Sequence, residues 1–506
     1  MIKIFNASQI RDADSYTISH EPIHSIDLME RAAEKIVEEL INLYKEKVPF
    51  AIFCGSGNNG GDGLAVARLL SLKDYKVEVY FAKISNRFSD DFSINLDRLK
   101  QIKTLNISEI SDKVQLPAFN KNTVLIDALF GSGLTRPLTG FSAEIVNYLN
   151  NLHCDIISID IPSGLFGEEN SSQQNAIVKA KYTLTFEFPF LSFFFPENEE
   201  YVGTFKVLPI GIHPDYVNNT QCNRFFIQQE DIIKYYKVRK NFSHKGQFGH
   251  ALLLAGNYGT AGANILAARG CLRSGIGLLT CHVPKCNVQI LQMSVPEALL
   301  SVDDEQFVIS NLPEFAKLNI AAIGPGIGFD EKTEIAVKTL ITHFKKPIIF
   351  DADAITILGK NKNWLDLISE NSVFTPHIKE FERLAGPSEN NFRRNERQIK
   401  FSVKYKCFVV LKGAYTAITT PDGKCFFNST GNPGMAKGGS GDVLTGILLA
   451  LSAQGYPIED AVIMAVYLHG LAGDIAAEKF GQTAMTSGDI VSGIADAFRK
   501  IESNKL

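Results

Sequence analysis

The residues best equipped for chemistry stand near the end of the chain, in Gly431–Gly446, which reads GNPGMAKGGSGDVLTG. Six of these sixteen residues are glycine, and Asp442 falls where the loop gives way to the apolar helix ILLALSAQG. A helix N-terminus carries unpaired N–H groups and a partial positive charge, so it holds phosphate. A carboxylate there repels phosphate unless it acts on a group beside it. The pattern therefore suits phosphoryl transfer. Asp442 would take a proton from a hydroxyl while the N–H groups of Gly438 to Gly441 stabilise charge on the moving group. The plain alternative is an aspartate that caps a helix after a flexible loop.

A second set lies in the first half. Asn58, Asn59, Gly60, Gly61 and Asp62 follow the apolar run PFAIFC, and Gly55–Gly60 matches GxGxxG. That match is weak by itself, and no Walker lysine accompanies it. Two further apolar runs, NTVLIDALF and CDIISIDI, place Asp127 and Asp160 at or near their ends. Each aspartate could be a turn former. Both stand beside glycine turns, and together with the Asn-Asn-Gly-Gly-Asp loop they predict one shared polar pocket. Ser163 could add an oxygen, and a set of carboxylate, amide and hydroxyl oxygens suits a hard cation and not zinc.

The elements that position these residues are α/β in pattern. Short apolar runs alternate with amphipathic ones, which predicts mostly parallel sheets. Ligands of such sheets sit beyond the carboxyl ends of the strands. The opening helical segment, about 7–44, breaks near Pro22. In the second half HALLLAG, IAAIG, PIIFDADAI, VFTP and CFVVLKG read as strands, and a helical hairpin closes the chain. The polar, turn-rich stretch DYVNNTQCNR marks a linker, placed at 214–230. The 506 residues thus divide into 1–213, the linker, and 231–506, each half with its own crevice.

Composition narrows the function. A net charge of −4 disfavours bulk nucleic-acid binding, which needs a basic face. Eight scattered cysteines without CxxC pairs indicate neither a zinc site nor a disulfide framework, so reduced cytosolic thiols are expected. The N-terminus lacks the apolar core of a signal peptide. No stretch is read as apolar enough to span a bilayer, so the expected location is cytoplasmic, with no membrane partner. The aromatic run FEFPFLSFFFPE (Phe186–Glu197) is expected as a buried strand or a subunit interface.

GSGNNGGDGLAVAR, LIDALFGSGLTRPL and SIDIPSG, in that order, resemble the signature segments of NAD(P)H-hydrate epimerase domains, and LMERAA in the opening helix fits the same family. The resemblance covers about residues 1–213. It implies a Rossmann-like three-layer α/β fold acting on hydrated NADH or NADPH. By that likeness Asn58, Asn59, Gly60, Gly61 and Asp62 bind the substrate phosphates. Gly131, Ser132, Gly133, Leu134, Thr135, Arg136 and Pro137 cover the nucleotide. Asn59, Asp127 and Ser163 hold a potassium ion, and Asp160 stands at the reacting ring. One position departs from the family: Phe190 stands where a lysine is often found, so any catalytic role of that lysine is lost or reassigned.

The second half, about residues 231–506, resembles ADP-dependent NAD(P)H-hydrate dehydratase domains through His244-Lys245-Gly246, GPGIG, FDADA, TPHIKEFERL, LKGAYT and the Gly431–Gly446 loop. The implied fold is a ribokinase-like α/β domain. Lys412, Gly413, Ala414, Tyr415, Thr416 and Gly441 would contact the adenine nucleotide. Ala261, Gly326, His377 and Asp442 would contact the hydrate. Asp351 and Asp353 would position a loop or a metal-bound water. The chemistry agrees with the residues. Hydroxide leaves poorly, phosphorylating it makes a good leaving group, and the neighbouring ring nitrogen can expel phosphate. ADP is the implied co-substrate, with potassium and magnesium as ions.

Both likenesses in one chain are those of bifunctional NAD(P)H-hydrate repair enzymes, for which a homo-oligomer is expected. Two other readings use the same residues. One is a kinase of a small alcohol in the second half. The other makes the first half a non-catalytic scaffold of the kind found in RNA metabolism, against which the intact Asp127, Asp160 and Asn-Asn-Gly-Gly-Asp set argues.

Overall fold

The computed structural model describes residues 1–84, 87–103, 105–111, 118–170 and 176–505. The chain forms two compact units, Lys3–Cys222 and Asn223–Leu506, the latter together with Met1–Ile2.

In the first unit the three apolar runs become the strands Phe50–Cys54, Val124–Ala128 and Ile156–Ile159. They belong to a seven-stranded sheet with every pairing parallel. From Phe50–Cys54 the chain moves outward through Val77–Ala82 to Asn106–Ile110. It then returns to add Val124–Ala128 on the other side of the first strand, followed by Ile156–Ile159, Tyr182–Phe186 and Thr204–Leu208. The order therefore reverses between Phe50–Cys54 and Val124–Ala128, and their carboxyl ends splay a crevice. Both faces of the sheet are covered. Phe50, Ile52 and Cys54 pack into one core and Ala51 and Phe53 into the other, as the two-residue strand period requires. The opening segment forms Ala7–His20 and Ser25–Leu43, broken around Pro22 as expected.

The second unit repeats this logic. Phe408–Leu411, Val373–Phe374, Ile348–Phe350, Ile320–Ile323, His250–Leu254, Leu278–Val283 and Leu299–Val302 lie side by side in that order, all parallel. The order reverses between His250–Leu254 and Ile320–Ile323. One face carries Ala261–Arg273, Ser440–Ala453, Ile458–Ala484 and Ser487–Ser503. The other carries Glu331–His343, Ala352–Lys360, Ile378–Ala385 and Asn391–Tyr405.

Three expectations need correction. Residues 214–230 are not a bare tether. They contain the helix Pro214–Asn219, the strand Arg224–Phe226, which pairs with Cys425–Phe427, and the start of the helix Gln229–Tyr235. A three-residue strand is too short to leave a periodic signal. The helix Ile458–Ala484 is long and apolar enough, by length and composition, to cross a membrane, although 72% of its apolar window is buried within the protein. It was missed because scattered charged residues interrupt it; its burial makes it a core helix. The aromatic run is strand only as far as Phe186. Beyond that it turns through the 3-10 helix Leu191–Phe194, with Phe188, Phe190, Phe193, Phe194 and Phe195 all buried.

Candidate active sites

A cavity of about 680 Å³ opens where the first sheet reverses its order. The first turns of the helix Asn58–Leu72 supply Asn58, Asn59 and Asp62 to its wall, and the segments that follow two strands supply Gly131, Ser132, Gly133, Leu134 and Asp160. The helices Ala7–His20 and Ser25–Leu43 close it with Ile10, Asp14, Ile18, Leu28 and Met29. Gly131 fills the gap between Asp160 and Asn59, and a Cβ there would come within 2.9 Å of Asp160 Oδ2 and 3.3 Å of Asn59 Cβ.

Asp160 sits in the left-handed region at φ 67°, a conformation that costs a non-glycine residue energy and concentrates at functional sites. Its Oδ2 accepts the Ser132 N–H at 2.9 Å. Burial pushes its carboxyl up to about 6, against the opposing pull of the Ser132 hydrogen bonds. Asp62 is held well above the usual carboxylate range by burial and by the charges of Asp160, Asp14 and Asp91. Asn59 is 8% exposed, and neither polar atom of its amide finds a partner among the described residues.

Other expected residues do not line the cavity. Gly60 is a packing residue, because a Cβ would overlap the Gly55 carbonyl oxygen, and a Cβ at Gly61 would press on Met29. Thr135, Arg136 and Pro137 do not line the cavity. Asp127 does not share it with Asp160 as expected: it is fully buried and braced by four donors. Ser158 Oγ donates at 2.7 Å, Ser163 Oγ at 2.6 Å, Ser163 N–H at 2.9 Å and Leu129 N–H at 3.3 Å. Burial raises its carboxyl despite these bonds. Phe190 is in the core beside Ile161, Leu165 and Phe193, away from the cavity.

Asp14, which the sequence reading overlooked, reaches the wall between Ile10 and Ile18. Burial and the charge of Asp160 push its carboxyl up to about 7. The available signal was an acidic residue at the centre of an i, i+4, i+8 apolar stripe.

In the second unit the strand ends bring together Ala255–Thr260, Gly324–Gly328, Asp351–Asp353, Thr375–His377 and Lys412. The glycine loop meets them from Ser440–Ala453. Gly439 begins that helix at φ 90°, in the left-handed region that favours glycine. The turn is open to solvent: Ala436, Lys437 and Gly438 are exposed, and Asp442 is half-buried in the first helical turn. Burial and the Asp351 charge push the Asp442 carboxyl up to about 7, while Lys412 pulls it down. Lys412 Nζ donates to Asp351 Oδ1 at 3.1 Å, and Thr445 Oγ donates to Asp351 Oδ2 at 2.8 Å. Gly441 leaves room for the ammonium, since a Cβ there would lie 3.2 Å from Lys412 Nζ.

Ala261 opens the helix Ala261–Arg273, and the preceding Thr260 Oγ donates to the Gly326 carbonyl at 2.7 Å, which joins the two loops at the switch. Asp353 accepts the Gly328 N–H at 2.9 Å. His377 caps Ile378–Ala385, its Nδ1 accepting the Glu380 N–H at 3.2 Å, with about half the side chain exposed. The Lys412 N–H donates to the Pro376 carbonyl at 3.0 Å, which sets the two loops side by side. Gly413, Ala414, Tyr415 and Thr416 form the turn between Phe408–Leu411 and Ala417–Thr419, closed by Thr416 Oγ on the Gly413 carbonyl.

The loop has supports that no motif announced. Asp474 accepts the Gly431 N–H and the Asn432 side chain, both at 2.9 Å. Ser487 Oγ donates to the Gly438 carbonyl at 2.8 Å. His469 Nε2 lies 3.3 Å from Ser440 Oγ, and burial lowers this imidazole to about 4, so it is neutral at pH 7. All lie on distant helices, so only folding brings them to the loop.

Each unit is thus an α/β domain on a wholly or mainly parallel sheet with polar residues gathered at its switch point, the architecture of nucleotide- and dinucleotide-binding enzymes. The family described as NAD(P)H-hydrate dehydratase matches residues 251–495, and the family described as YjeF-related protein N-terminus matches residues 25–191. The bifunctional NAD(P)H-hydrate repair enzyme Nnr of Thermofilum pendens is 33% identical, over 99% of this chain and 97% of that protein. Its namesake in Moorella thermoacetica is 32% identical with the same coverage. A solved ADP/ATP-dependent NAD(P)H-hydrate dehydratase from Bacillus subtilis, co-crystallised with ATP and Mg2+, is 30% identical. It covers 55% of this chain and 98% of its own, with a TM-score of 0.49. The chain belongs to the family of bifunctional NAD(P)H-hydrate repair enzymes.

Proposed function

We propose that the chain returns hydrated NADH and NADPH to the active coenzymes in two steps. The first unit interconverts the 6R and 6S hydrates. The second, ribokinase-like unit dehydrates the 6S form, and ADP becomes AMP and phosphate. The observation that carries the reading is Asp442, a carboxyl raised to about 7 at the head of a helix beneath an open glycine turn. A group with that affinity is matched to taking a proton from a hydroxyl near neutral pH. The Gly438–Gly441 N–H groups would stabilise the phosphoryl group in transit. Lys412 and the Gly413–Thr416 turn would hold the nucleotide, and Ala261, Gly326 and His377 the hydrate.

In the first unit Asp160 would face the reacting ring, with Asn58, Asn59 and Gly131–Leu134 around the phosphates and nucleotide. The donor set is all oxygen, as potassium prefers, and the Asn59 amide lacks a partner among the described residues, but both Asp127 oxygens already accept hydrogen bonds from Ser158, Ser163 and Leu129. Asn59 would hold the ion from the cavity wall, and Asp127 and Ser163 would join it by giving up part of the hydrogen bonding between them; the ion when bound would supply positive charge to the site. Magnesium would accompany the nucleotide. Asp351 is engaged by Lys412 and Thr445, which leaves half-buried Asp353 as the carboxylate nearest that role.

The test is incubation with an epimer mixture of NADHX plus ADP. Recovery of reduced-nicotinamide absorbance with equimolar AMP and phosphate supports the reading. A stable phosphorylated product without that absorbance would make the second unit a small-alcohol kinase instead.

A further inference from the structure

We propose that Asp14 is a second catalytic residue of epimerisation, the proton donor that works opposite Asp160; the assignment rests on reading the cavity as an epimerase site. Asp14 stands on the helix Ala7–His20, which contributes Ile10, Asp14 and Ile18 to the cavity wall, whereas Asp160 follows directly on the strand Ile156–Ile159. The two carboxyl groups line one cavity and interact electrostatically. That space also receives an amide, Asn59, which is more than nine-tenths buried and has no partner among the described residues, as befits a wall that meets a polar ligand or ion. The position where the family often has lysine is Phe190, sealed in the core. No ammonium therefore comes from that position.

The chemistry needs two such groups. The hydrate carbon carries both a hydroxyl and the ring nitrogen. A base removes the hydroxyl proton, the oxygen pair forms C=O, and the C–N bond breaks with its pair going to nitrogen. An acid must protonate that nitrogen at the same time. After rotation of the aldehyde the nitrogen attacks its other face, and both protons return. No oxidant or reductant enters and the sum is an isomerisation. Asp160 as carboxylate and Asp14 as carboxylic acid supply the two roles.

The charged groups that line the cavity with Asp14 are Arg11 on its own helix, Asp62 on Asn58–Leu72, Asp91 on Asp90–Lys100, Asp160, and Glu187 after Tyr182–Phe186. Acidic groups outnumber the one cation, which favours the protonated form of Asp14 at neutral pH. As an acid it is competent below its midpoint of about 7 and loses the proton above it.

The experiment follows epimer interconversion by the full chain, without ADP, from pH 5.5 to 9 by NMR. Wild type should lose rate on the alkaline side. Asp14→Asn should be slower by about 10²-fold or more and should lack that alkaline decline. Asp14→Glu should recover part of the rate together with the decline. An Asn variant as fast as wild type, an Asn variant whose pH profile keeps the wild-type decline, or a Glu variant no faster than the Asn one would overturn the assignment. Absence of interconversion by the wild-type chain would instead sink the epimerase reading itself.

Discussion

At the scale of single residues, the environment of Asp442 makes the sharpest predictions. Its carboxyl is raised by burial and Asp351, and lowered by Lys412. Acting as a base it must be ionised, so dehydration should rise with pH through about 7 and level off above. Lys412→Met removes the lowering charge, and should displace that rise to higher pH in addition to weakening nucleotide binding. A pH–rate series for both proteins at saturating ADP checks the displacement. Asp442→Asn should lose at least about 10²-fold in dehydration rate while epimerisation is retained. Normal regeneration of NADH by that variant would remove Asp442 from the base role.

At the scale of elements, the glycine turn works only if its backbone adopts a form closed to other residues. Gly439 lies at φ 90°, and a Cβ would stand 2.5 Å from Leu266 Cδ1 on Ala261–Arg273. Gly439→Ala should cost about 1–2 kcal/mol from the left-handed backbone and more from the clash. The loop should move off the helix head, so dehydration should fall at least about tenfold while epimerisation continues. Gly60→Ala acts differently, because it forces Asn58–Leu72 away from the Gly55 carbonyl. It should destabilise the first unit by about 1–3 kcal/mol, the usual range for overpacking, readable as a lower urea midpoint for that unit.

At the scale of the whole molecule, the two activities are chemically in series. Asp160→Ala should leave the second unit able to consume only the 6S hydrate. NADH recovery from an epimer mixture should then proceed quickly to the 6S fraction and continue only at the spontaneous epimerisation rate, whereas wild type runs to completion. A single fast phase in the variant would break the series. The acidic cavity also has a cost in stability. Asp14 and Asp160 bind protons more tightly in the folded unit than near the ordinary value of 3.8. The stability this confers is complete below that value and is lost as pH rises through about 6 to 7. The first unit should melt at lower temperature at pH 8 than at pH 5.5, and Asp160→Asn should reduce the difference, as thermal scans at matched ionic strength would show.

Much of the strand skeleton and the glycine-rich turns could be read from the chain, because alternation, turn chemistry and helix-start signals are local. The strands ending near Cys54, Asp127, Ile159, Leu254 and Ile323 carry apolar runs too plain to misread, and the loop around Asp442 announces phosphate chemistry by composition. Short or edge elements such as Arg224–Phe226 left no such trace. What folding alone decided is which of the marked residues share a space. Asp127 and Asp160 end neighbouring strands, yet the first is bound into its own turn by Ser158 and Ser163 while the second faces the cavity. Asp14, His469 and Asp474 come from helices remote in sequence, and Phe190 turns into the core. Proton affinities depend on burial and on neighbouring charge in three dimensions, and neither is a property of the local chain.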